Sequence, residues 1–395
     1  MPRFEAFRAL RYASFLNLDD VSAPPYDVIS ETDRDALCAR HPNNIAHIDM
    51  PTGVDAYDVA GKTVREWMTT GVLVLDDVPS LTLYRMSFVD SLGTQRSTVG
   101  VAGALEVVDE GAGGVLPHER TTPKAKTDRL ELTRATDTNM SPVWGLSLAT
   151  GLSAKLRSRG ELCGALTDAD GVVHSVERVS DPDRIADIST CIAAQPVVIA
   201  DGHHRYAVSR TFRNEVRQRT HRRDTAAELT LAYVNELVDD QLSVAAIHRL
   251  YWDISLENLR TTLAASFEVE DAGVLSDTTL RQMNDLDVLC LLLPDRTIAW
   301  LRPKATAFVG VRRLDSAMLE HALSAATHTV DYQHDIDEVC HELSENNATA
   351  AILIRPVSMT EIRRTATEGL LMPPKSTFFT PKLRTGLVLR PLNTN

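Results

Sequence analysis

Apolar positions in this chain recur at two periods, and the switches between them mark its elements. Ala56, Val59, Ala60, Val64, Trp67 and Met68 follow a helical stripe between Asp55 and Thr70, and Gly71 can end it. Ser30, Glu31 and Thr32 can cap a shorter helix beginning near Asp33. Leu81–Val89 and Thr98–Val108 are rich in strand-forming residues and separated by a turn around Ser91, Leu92 and Gly93, which predicts a hairpin. A polar stretch from Ser180 to Thr190 has the look of a linker. The run PVVIADGHHRY at 196–206 then reads as a buried strand that stops at Asp201-Gly202 and opens into a helix, with Val208, Phe212 and Val216 at four-residue spacing. Beyond Tyr251 helix and strand units repeat: 287–293, 316–326, 336–343 and 350–357. Ile336, Val339, Cys340 and Leu343 share one helical face. A last strand is expected at 386–392.

With 395 residues, 44% of them apolar and 5% aromatic, the chain can bury a substantial core in two or three domains. The patterning predicts a core over 1–250 and an α/β domain over 251–395. A net charge of -13 argues against broad adhesion to nucleic acid, which needs a cationic surface. Five widely spaced cysteines without a CxxC pair read as reduced, mostly buried thiols and point to the cytoplasm. The start MPRFEAFRAL lacks a secretory apolar core, and the apolar run near Val288–Leu293 is too short to span a bilayer, so no membrane partner is expected. Composition leaves self-association into a homo-oligomer open.

The chemistry concentrates where the strand ends. A helix that starts just after Asp201-Gly202 presents backbone N–H groups beside His203, His204 and Arg205, a combination suited to phosphate oxygens. Gly202 admits close backbone approach, and Arg205 offers a planar fork of donors. Asp201 can equally be a helix cap, or Asp-Gly a tight turn followed by surface histidines. Zinc is disfavoured, because adjacent helical residues do not share a face and no Cys or His partner lies at ligand spacing. Upstream, LPHERTTPKAKTDRLELTRATDTNMSP gathers His118, Glu119, Arg120, Lys124, Lys126, Asp128, Arg129 and Arg134, which are also consistent with a solvated helix laced by ion pairs. Near the end, MPPKSTFFTPK sets Lys375, Ser376, Thr377 and Lys382 on a proline-stiffened loop, either a ligand contact or an exposed turn.

Four segments, APPYDVIS, LPHERT with KTDRL and NMSP, ADGHHRY, and MPPKSTFFTPK, occur in the order seen in domain-of-unknown-function family 1015, which the chain resembles over most of its length. The DGHHR segment also resembles the phosphate-contacting loop of the ParB/sulfiredoxin superfamily, whose members use nucleotides and include free serine kinases. These resemblances imply an α+β fold, a mixed-sheet ParB/sulfiredoxin-like phosphate-binding core with an additional C-terminal α/β domain. They imply a phosphotransferase acting from ATP or ADP, with Mg²⁺, on the hydroxyl of a small metabolite, free L-serine being the first choice. In that scheme Gly202, His203, Arg205, Lys126, Arg129 and Lys375 contact the nucleotide, and Asp201 orients the loop or holds the metal. Glu119, Asp201 and His204 serve catalysis, with Glu119 as the base and Asp27 or Asp128 behind it. Arg134 and Lys375 are candidates for a substrate carboxylate. Where sulfiredoxin has a reactive Cys this chain has His203 and His204, so sulfinic acid reduction is not supported. A phosphomonoesterase and a non-catalytic nucleotide-gated binding protein are the alternatives.

Overall fold

Strand-forming runs in the first part of the chain assemble into one nine-stranded sheet. Its order is Val115–Leu116, Val197–Asp201, Val143–Ser147, Leu229–Glu236, Gln95–Glu106, Leu81–Val89, Val173–Val179 and Glu161–Thr167, with Phe4–Glu5 paired to Gln95–Glu106. The computed structural model that describes it covers residues 1–90, 93–117, 126–345, 347–373 and 375–393, with the backbone alone at Lys126 and Thr127. The expected hairpin is present as an antiparallel ladder pairing Thr82 with Ala102 and Phe88 with Arg96. Two ladders are parallel, Val197–Asp201 with Val115–Leu116 and Leu229–Glu236 with Val143–Ser147. The sheet is therefore mixed and the fold α+β.

The chain folds into two compact units, and the division between them is not a single cut. One unit comprises 1–243, 366–369 and 381–395, and the other 244–365 and 370–380. The chain thus returns to the first unit at its end, whereas the sequence pattern suggests one continuous second domain. The tail does so as a run of single bridges, Leu389 to Leu10 and Thr385 to Ala23, before the short strand Arg390–Pro391 pairs with Thr138–Asn139. The long terminal strand expected from 386 is shortened to that pair.

In the first unit one sheet face buries Leu81, Leu83, Val101, Val197, Ile199 and Val234 against Ile188 and Ile192. Those isoleucines belong to the helix Pro182–Ala193, which replaces the expected linker. Asp181 caps it by accepting from the Arg184 amide, and Pro182 occupies the first turn, where a missing N–H costs nothing. Elsewhere Ala60, Val64 and Trp67 of the helix Ala56–Thr69 pack with Leu10, Ile45 and Leu132. The short helix Glu31–Arg40 carries a full capping box between Ser30 and Asp33.

The second unit holds a six-stranded sheet in the order Phe267–Val274, Thr297–Pro303, Leu289–Leu292, Ala350–Leu353, His248–Trp252, Thr329–Gln333. Helices alternate with strands as the pattern predicts, but every ladder described in this sheet is antiparallel. A tight turn makes one of these pairings local: Arg296 adopts φ 66° and its amide bonds Leu293 O, so Thr297–Pro303 folds straight back. The uninterrupted apolar run at 288–293 follows from burial on both faces. Leu289 and Leu291 meet Leu319 and Leu323 on one side, while Cys290 and Leu292 meet Met283, Val339 and Leu343 on the other. The five cysteines are all free thiols, and only Cys290 is fully buried. No described helix is long and apolar enough to cross a membrane.

Candidate functional site

The strand Val197–Asp201 runs through the core of the first unit and delivers Asp201 to its end, where the chain turns at Gly202 into the eighteen-residue helix His203–Thr220. Gly202 has φ 85°, a left-handed conformation that costs an L side chain roughly 1–2 kcal/mol. A side chain would also be crowded: a Cβ there would lie 2.9 Å from Arg205 Nε and 3.0 Å from its Cζ, so the guanidinium would have to shift. Arg205 is folded back over the glycine. The helix has no side-chain cap at its start, and its first turn contains no acidic residue. The start of a long helix carries partial positive charge and suits an anion.

Around that end the separate motifs of the sequence converge. Arg205 Nη2 donates to Asp201 Oδ2 and its Nη1 to the carbonyl of Pro142, which belongs to the NMSP segment. Lys382 Nζ donates to the other Asp201 oxygen at 2.8 Å. Arg129, from KTDRL, bonds buried Asp49 at 3.0 Å and Asp128 at 2.6 Å, and its guanidinium lies 4.2 Å from the centre of the Tyr26 ring, in APPYDVIS. A cavity of about 40 Å³, room for a water or two, is lined by Asp49, Arg129, Ser141, Arg205, Ser209 and Thr230.

The charges tune one another. Burial alone would raise the Asp201 carboxyl, but Lys382 and Arg205, with His203 behind them, hold it well below the usual carboxylate range. For Arg205 burial opposes the charge, and Asp201, then Asp27, Tyr26 and Asp49, more than offset it, so the guanidinium stays firmly protonated. Asp49 goes the other way: burial pushes it up against the pull of Arg129 and Arg205. Arg205 Nε is buried without a hydrogen-bond partner among the described residues.

The residues singled out from sequence fall into three groups. Asp201, Gly202, His203, His204 and Arg205 lie together at the helix start, and Arg129 lines the cavity that Arg205 also lines. Arg205 is held by Asp201 and Pro142 and is not an open fork. Asp201 has an Arg or Lys partner on each oxygen, so it is not an open metal ligand, and no group of three His, Cys, Asp or Glu able to hold a metal exists among the described residues. Arg134 is tied to Glu215 and Glu131, and Asp128 to Tyr57 and Arg129, while Asp27 stays exposed. Lys375 belongs to the second unit, where its carbonyl accepts from Arg249 Nη2 at 3.0 Å. Glu119 lies outside the described residues, as does the side chain of Lys126. One member of the cluster has no local signal as a site residue: Asp49, in a short helical turn. Lys382 rather than Lys375 is the loop lysine that reaches Asp201.

A model of the family described as "Protein of unknown function (DUF1015)" matches residues 4–317. No curated protein matches the chain. Similar solved structures include a free serine kinase in complex with AMP, at 11% identity over 68% of this chain and 84% of that one, with a TM-score of 0.37. SbnI with a C-terminal truncation from Staphylococcus aureus shows 14% identity over 74% and 87%, TM-score 0.42. A conserved hypothetical protein from Pyrococcus furiosus shows 12% over 68% and 87%, TM-score 0.36.

Proposed function

The chain belongs to the DUF1015 family of proteins of unknown function, and from that premise we propose that it is a nucleotide-dependent phosphotransferase acting on the hydroxyl of a small metabolite, with free L-serine as the first acceptor to test. What supports this reading above all is the uncapped start of the helix His203–Thr220, entered through left-handed Gly202 and surrounded by the residues of four separate sequence motifs. Phosphoryl transfer asks a protein chiefly to position the reactants in line and to stabilise charge on the transferring group. First-turn amides, the imidazoles of His203 and His204 and the ammonium of Lys382 are groups suited to that charge.

The cavity beneath the helix is far smaller than the several hundred Å³ a nucleotide needs, so only phosphate oxygens of ATP or ADP belong near the helix start. Arg205 and Asp201 act as a strut that fixes the turn. Mg²⁺ is part of the chemistry of most such transfers, but with both Asp201 oxygens bonded the reading routes no step through a metal held there. Glu119 remains the proposed base, taking the acceptor's proton as its oxygen attacks the terminal phosphorus and the bond from that phosphorus to the bridging oxygen breaks, releasing ADP from ATP or AMP from ADP.

The test is turnover with a panel of hydroxyl-bearing metabolites, ATP and ADP each as donor. A stoichiometric phospho-acceptor that falls about a hundredfold in Glu119→Gln, with nucleotide affinity kept, is the expected result. Phosphate released from a phosphomonoester without nucleotide, or nucleotide bound without any product, would overturn it.

A further inference from the structure

The second unit contains a cavity of about 180 Å³ between the strands His248–Trp252 and Thr329–Gln333 and the helix Asp315–Leu323. The ladder pairs Arg249 with Tyr332 and Tyr251 with Val330, and these four side chains line one wall. Leu319, Glu320, Leu323 and His328 complete it. The volume matches about six waters at ~30 Å³ each, hence a ligand of roughly six to ten non-hydrogen atoms.

Three polar residues of the lining bring groups to the cavity that make no hydrogen bond among the described residues. Tyr251 is 3% exposed and lines the cavity, and its hydroxyl makes no hydrogen bond among the described residues. Glu320, an exposed residue at the rim, makes no hydrogen bond or ion pair among them, so its carboxylate is open to a ligand. His328 Nδ1 donates to the Ala326 carbonyl at 2.9 Å, and its Nε2 makes no hydrogen bond among the described residues. The walls are aromatic: the Tyr251 and His328 rings lie 5.4 Å apart, and Arg249 sits 4.7 Å from the centre of the Tyr332 ring. The cavity thus joins a guanidinium held by the Ile247 and Lys375 carbonyls, an exposed carboxylate at its rim, and a phenol beside an imidazole ring.

From this arrangement we infer that the second unit binds a small zwitterion, a free α-amino acid, with its carboxylate toward Arg249 and Tyr251 and its ammonium toward Glu320 and the aromatic faces. A cation alone would meet the charge of Arg249, and an anion alone would meet Glu320. The opposite ends of an amino acid satisfy both. This inference does not depend on the phosphotransferase reading, because every residue it uses lies in the second unit.

Calorimetric titration of the full chain with each of the common L-amino acids tests it, alongside the amine and the carboxylic acid that correspond to the best binder. The expected result is millimolar or tighter binding of at least one amino acid, weakened about tenfold by Glu320→Gln and severalfold by Tyr251→Phe. Tyr251→Phe should leave the unfolding midpoint unchanged, since the hydroxyl has no protein partner to lose. Absence of binding across the panel would overturn the inference. So would affinity that survives Glu320→Gln, the result for an amino acid held near Asp201, or an amine or acid that binds as well as the amino acid.

Discussion

Gly202 shows how one residue type carries two constraints at once. Its left-handed φ and the guanidinium packed against it both disfavour a side chain. Gly202→Ala should cost about 1–3 kcal/mol in chemical denaturation and displace Arg205, with phosphate affinity falling at least tenfold. A variant that keeps both stability and affinity would show that the turn does not matter. Lys382 makes a complementary case. Its loss leaves Asp201 with one cation fewer, and breaking a largely buried pair typically costs about 3 kcal/mol. The native Asp201 pKa lies below its unfolded value, so the stabilisation is full above the ordinary carboxylate range and fades as pH falls through the native value. The stability gap between the wild type and Lys382→Met should therefore narrow as pH is lowered below about 4. A gap that stays constant from pH 7 to pH 3 would contradict the pairing.

At the scale of elements, local signals are legible where they are dense. The stripe at Ala56–Thr69, the capping box at Ser30 and the β-hairpin all follow from short-range pattern. The helix Pro182–Ala193 is masked because its exposed face is rich in Asp, Arg and Ser, which mimics a linker. Its signal is Asp181-Pro182 followed by Ile185, Ile188 and Ile192 at helical spacing. Asp181→Ala should thus destabilise by about 1 kcal/mol, seen as a lower denaturation midpoint. In the second unit the strand His248–Trp252 carries His248, 2% exposed, with Nδ1 accepting from the Ile354 amide. Burial and then Arg249 push its pKa down to about 4. A native pKa below the unfolded one means that protonation favours unfolding, so stability is full above pH 6.5 and declines toward pH 4, by roughly 3 kcal/mol. Urea unfolding of the full chain at pH 7 and pH 4.5 should show this loss, and His248→Gln should flatten it. The antiparallel ladders of this sheet are not legible in the sequence, because helix and strand order alone does not say which way a strand returns.

For the molecule as a whole, the site is half legible. Asp201 through Arg205 are contiguous, so strand, glycine and helix start can be read together. Their partners come from far along the chain: Pro142 lies 63 positions from Arg205, Asp49 80 from Arg129, and Lys382 181 from Asp201. Periodicity says nothing about such closures; only the folded sheet brings them together. The same packing alters the chemistry, since Arg205 and Asp201, each suited alone to phosphate or metal, neutralise each other. Together they hold the helix start in place. The net charge of -13 makes this local positive end the more distinctive. Crystallising the chain with a non-hydrolysable ATP analogue tests this claim most directly. The account predicts phosphate oxygens within hydrogen-bond distance of the backbone amides of His203, His204 and Arg205; a nucleotide bound with its phosphates elsewhere would contradict it.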